Sequence, residues 1–98
     1  HFWVVNTLKA RSPEKLREIC EAGETAARGY LLSHLERKLI HSMEIEVTSE
    51  TGGQTTFNVD ISLELEPGIE IDLDKLTDEA SDAALSAIDK MMKRKKRA

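Results

Sequence analysis

Apart from the terminal His1, the side chains with reach for metal binding or nucleophilic catalysis are His34, His41 and the single cysteine, Cys20. Read on one helix, His34 and His41 share a face two turns apart. That is ~10 Å along the axis, too far to chelate one ion without a ligand between them. Lys38 lies between them and repels a cation. Cys20 falls on an apolar stripe, where a thiol behaves as a small apolar group with a raised pKa and attacks poorly. No Cys–His spacing offers it a base. Asp72-Leu73-Asp74-Lys75-Leu76-Thr77 contains the Asp-x-Asp spacing used in phosphoryl transfer, but its threonine comes one position late and the chain is short for the surrounding machinery. Asp72–Asp82 lacks the sixth-position glycine and closing glutamate of a calcium loop. Gly52-Gly53 precedes a strand rather than a helix, so it reads as a hairpin turn and not as a phosphate cradle. The expectation is a chain without catalytic residues, cofactor, metal or small-molecule substrate.

The elements that hold these residues announce themselves by period. Ser12-Pro13-Glu14 is a helix start: a capping hydroxyl, a proline preset for the first position, and an acid at the positive dipole end. Leu16, Ile19, Cys20, Gly23, Ala26, Ala27, Tyr30 and Leu31 then repeat at helical spacing. The centre of this stripe is small, which lets a neighbouring helix come close. Leu32, Leu35 and Leu39 drift about a third of a turn off it at 100° per residue. The spacing predicts one helix over residues 13–41 with a bend near Gly29. Met43, Ile45 and Val47 alternate with Glu44, Glu46 and Thr48, and Phe57, Val59, Ile61, Leu63 and Leu65 alternate with Asn58, Asp60, Ser62 and Glu64. Pro67-Gly68 fits the centre of a type II turn. Ile69, Ile71 and Leu73 continue the alternation against Glu70 and Asp72. Strict period two predicts a three-stranded antiparallel meander over residues 43–73, buried on one face and solvated on the other. A second helix over residues 75–95, capped by Asp74, carries Leu76, Ala80, Ala83, Ala84, Ala87 and Met91, with Leu85, Ile88 and Met92 as a ridge beside them.

The predicted fold class is therefore α+β: a two-layer sandwich of α-β-β-β-α order, with two helices on one face of the meander. The 98 residues form one domain, with residues 1–11 as an N-terminal arm or extra strand and 96–98 as a basic tail. No apolar run approaches the ~20 residues of a membrane span, and Phe2–Val5 is too short for a signal-peptide core. One cysteine excludes an internal disulfide. A cytoplasmic protein is the default expectation.

Charge decides which partners are plausible. The net charge is −4, but unevenly spread. Asp60, Glu64, Glu66, Glu70, Asp72, Asp74, Asp78 and Glu79 face Lys75 alone, whereas Lys93, Arg94, Lys95, Lys96 and Arg97 run unbroken. An acidic sheet face (Glu44, Glu46, Asp60, Glu64, Glu66, Glu70, Asp72) repels a nucleic-acid backbone, while the Lys93–Arg97 run is the one feature suited to phosphate contact. No interleaved aromatics accompany it, so RNA or DNA binding is the alternative rather than the leading expectation. The two apolar ridges, Leu32/Leu35/Leu39 and Leu85/Ile88/Met92, either meet each other within one subunit, giving each helix the wide apolar arc it needs to touch both the sheet and its neighbour, or exceed what one small sheet needs to cover and are in part the candidate protein interface. Glu44 and Glu46 discourage edge pairing of the first strand, so helix ridges are expected to outweigh sheet edges in any dimer.

Glu14-Lys15-Leu16-Arg17-Glu18-Ile19 through Tyr30-Leu31-Leu32, the Phe57–Leu65 alternation, and Ile69–Leu76 with Glu79-Ala80 together resemble a family of short archaeal proteins of unknown function encoded near the prefoldin beta subunit. The resemblance covers residues 13–95 and implies no catalytic residues. A more distant similarity is to the small dimerising subunits of the KEOPS complex, which supports threonylcarbamoyl modification of transfer RNA. The apolar ridges in excess of one small sheet and the lack of a catalytic set lead to the expectation of a non-catalytic interaction module, self-associating or docked in a larger archaeal assembly.

Overall fold

The computed structural model describes residues 3–4, 13–52 and 55–93. The element order is β1 (Trp3–Val4), α1 (Pro13–His34), a 3-10 turn (Arg37–Leu39), β2 (Ile40–Thr51), β3 (Thr55–Leu65) and α2 (Leu73–Lys93). Two long antiparallel strands make the sheet. They are joined through residues 52–54 and registered with Thr51 opposite Thr55 and Val47 opposite Val59. The two-residue β1 borders β3 on its other edge, with Trp3 opposite Thr56 and Val4 opposite Thr55, giving the order β1-β3-β2. The α+β class and the hairpin at Gly52 agree with the sequence reading. The capping residue expected before α1, Ser12, lies outside the described residues.

The three-stranded meander does not form. Ile69–Asp72 is an irregular connection, and Leu73 already begins α2. The turn before it is as expected: Gly68 has φ +88° and Ile69 N–H donates to the Glu66 carbonyl at 3.4 Å. Beyond the turn the chain departs from a strand because only the residues 69–72 separate Gly68 from α2. They are spent carrying the backbone from the sheet layer to the helix layer. Ile69 is half-buried and Ile71 exposed, so the alternation there marks an extended connector rather than a paired strand. The α2 cap shifts too. Asp72, not Asp74, accepts the Lys75 amide at 3.1 Å on its Oδ1.

α1 is also corrected. It runs through Gly29 without interruption and stops at His34, where the Tyr30 carbonyl accepts Ser33 Oγ at 2.8 Å and lies 2.9 Å from His34 Nδ1. Residues 40 and 41 belong to β2. A bulge at His41, between the pairs Ile40–Leu65 and Ser42–Glu64, turns Ile40 back to the helix side of the sheet, where it is half-buried. Strict alternation from Met43 would have pointed it outward.

Both helices cover one face of the hairpin. α1 buries Ile19, Gly23, Ala27 and Leu31, and α2 buries Ala80, Ala84, Ile88 and Met92, each a row spaced by four. Ile19, Ile88 and Met92 meet Val47 and Phe57 near the hairpin end, while Ala27 and Leu31 meet Ala80 and Ala84 at the other. The helices therefore run antiparallel and approach each other through their small residues. A Cβ added at Gly23 would lie 3.0 Å from Ile88 Cδ1 and 3.5 Å from Val47 Cγ2. Tyr30 OH, on α1, donates to Glu79 Oε1, on α2, and ties the two rows together laterally.

This packing is open to direct test. Gly23→Leu drives a side chain into Ile88 and should cost about 1–3 kcal/mol, whereas Gly29→Ala, with nothing within 4 Å, should stabilise by up to about 1 kcal/mol through helix propensity. Chemical denaturation of both distinguishes packing from propensity; equal effects would refute the close approach. Ile88→Glu places an unpaired charge at a position with no solvent exposure. It should cost at least about 4 kcal/mol, enough to unfold a domain of this size, and a folded Ile88→Glu variant would contradict the core assignment. The bond to Glu79 raises the Tyr30 pKa, with burial and the Glu79 charge adding to it. The folded pKa then exceeds the unfolded value of about 10, so this contribution to stability is complete below about pH 10 and declines as pH rises through the folded value. Tyr30 is the only tyrosine, so phenolate absorbance reads it alone. The midpoint should lie above that of an unfolded tyrosine and fall towards it in Glu79→Gln.

Candidate functional site

His34 is exposed at the end of α1, its ring stacked on Tyr30 at a centroid distance of 4.2 Å and an interplanar angle of 26°. His41 lies on β2, with Nδ1 3.6 Å from Glu66 Oε2 in an exposed pair. The two histidines thus sit on different elements rather than one helical face. Among the described residues no three histidine, cysteine or carboxylate side chains gather as a metal set. Cys20 is half-buried against the Ile19/Phe57 cluster. Burial raises its thiol pKa, a hydrogen bond with Ser49 draws it back, and the nearby Glu24 and Glu21 push it up again. A thiol held protonated in this way is a weak nucleophile.

The expected interface ridges separate into core and surface. Leu35, Ile88 and Met92 are buried in the chain's own core, and Leu32, Leu39 and Leu85 are half-buried. The two ridges do not combine into one outer patch, because the rows spaced by four place Leu35 in line with Leu31, and Ile88 and Met92 in line with Ala84. Lys93 closes α2, and Arg94, Lys95, Lys96 and Arg97 lie outside the described residues.

The acidic sheet face is real but smaller than the sequence suggests. Glu44, Glu46, Asp60 and Glu64 are exposed on the outer face, with Glu46 directly opposite Asp60. Like charges facing each other across strands are destabilising, so this face resists closure by a second acidic surface. Glu66, Glu70 and Asp72 belong to the connection into α2 instead.

One stretch of surface, beside β3 and α2, was not read from the sequence. β1 engages β3 only at Thr55 and Thr56. Among the described residues no strand pairs with that edge of β3 from Phe57 to Leu65. Beside the start of this edge lies an open groove of about 430 Å³ lined by Phe57, Asn58, Val59, Asp78, Ser81, Asp82 and Leu85. Asp78, Ser81, Asp82 and Leu85 keep the i, i+3, i+4, i+7 pattern of one helical face, which is the signal that could have found them. Two further depressions are shallow: one of about 520 Å³ beside β2, between Arg28 and Glu46, and one of about 500 Å³ around His34 and Arg37. None brings a nucleophile, base and oxyanion donor together.

Known proteins place the fold. A crystal structure from Thermococcus onnurineus NA1 is 25% identical and superposes with a TM-score of 0.75, over 90% of this chain and 85% of that one. The solution structure of a hypothetical protein from Methanothermobacter thermautotrophicus is 22% identical with a TM-score of 0.77, over 95% of this chain and 100% of that one. No curated protein matches. Among the described residues no helix is long and apolar enough to cross a membrane. The model of a protein family of unknown function, DUF3194, matches residues 8–91, and this chain belongs to that family.

Proposed function

We propose that this protein is a non-catalytic interaction module of the archaeal cytoplasm, either self-associating or held in a larger assembly. The observation that carries the reading is the β3 edge. From Phe57 to Leu65 its outward backbone groups have no described strand partner, and Val59, Ile61 and Leu63, which line the helix-facing side of that strand, remain half-buried rather than buried. Natural proteins shorten, charge or cover such edges, because an uncovered one recruits another chain. The larger assembly proposed is one of the kind to which the small dimerising KEOPS subunits belong.

Sedimentation velocity across a range of concentrations, alone and after recovery from an archaeal host, tests the reading. The expected result is a species heavier than the 11.0 kDa chain, with slowed amide exchange along β3 in that species. A monomer at every concentration, with no stable complex, would remove the reading.

A further inference from the structure

We draw no further inference here: the strongest candidate, the surface depression along the outer edge of β2 between Arg28 of α1 and Glu46, carries nothing because nothing in the structure shows what covers it.

Discussion

The close passage of α1 over α2 is the constraint on which the rest of this molecule hangs. Gly23 faces Ile88 so closely that an added Cβ would lie 3.0 Å from Ile88 Cδ1, and Ala27 meets Ala80 and Ala84 with none of these exposed. Two strands offer too narrow a face for two helices set side by side at ordinary spacing, which for average side chains is about 8–10 Å. Small residues at the crossing let both helices share that strip of sheet. The bulky side chains, Ile19, Phe57, Ile88 and Met92, are then gathered at the hairpin end, where the core is thickest.

That economy has a consequence at the sheet margins. With the helices drawn together, inner-face residues such as Met43, Ile45, Ile61 and Leu63 are half-buried. β2 and β3 both carry carboxylates on the outer face, and the opposed Glu46 and Asp60 discourage acidic surfaces from closing over it. Each margin of the sheet carries a depression walled by the helix above it, with Arg28 of α1 beside β2 and Asp78, Ser81, Asp82 and Leu85 of α2 beside β3.

Much of the fold is legible from period. The small-residue stripe of α1, the alternation of β2 and β3 and the Gly68 turn can all be read locally. The third strand misleads because alternation at Ile69–Leu73 reports extended backbone with unlike sides, which an unpaired connector also provides. The ridges Leu32/Leu35/Leu39 and Leu85/Ile88/Met92 stay open between internal packing and interface in the sequence, because a helical wheel separates faces by angle but does not say which angle points to the neighbour; the fold buries Leu35, Ile88 and Met92. The groove stays hidden because Phe57–Val59 and Asp78–Leu85 are remote in sequence and are joined only when α2 lies over β3.

The sequence by itself determined the α+β class, the position of the hairpin, the start of α1 and the small-residue meridian that a second helix would need, since each depends on interactions within a few residues. Only the tertiary structure decided that the sheet has two long strands, that Asp72 rather than Asp74 caps α2, that His34 and His41 occupy different elements, and which apolar rows face inward. Those outcomes depend on which surfaces meet when the helices close over the hairpin, and burial between distant segments outweighs the local preference of any one of them.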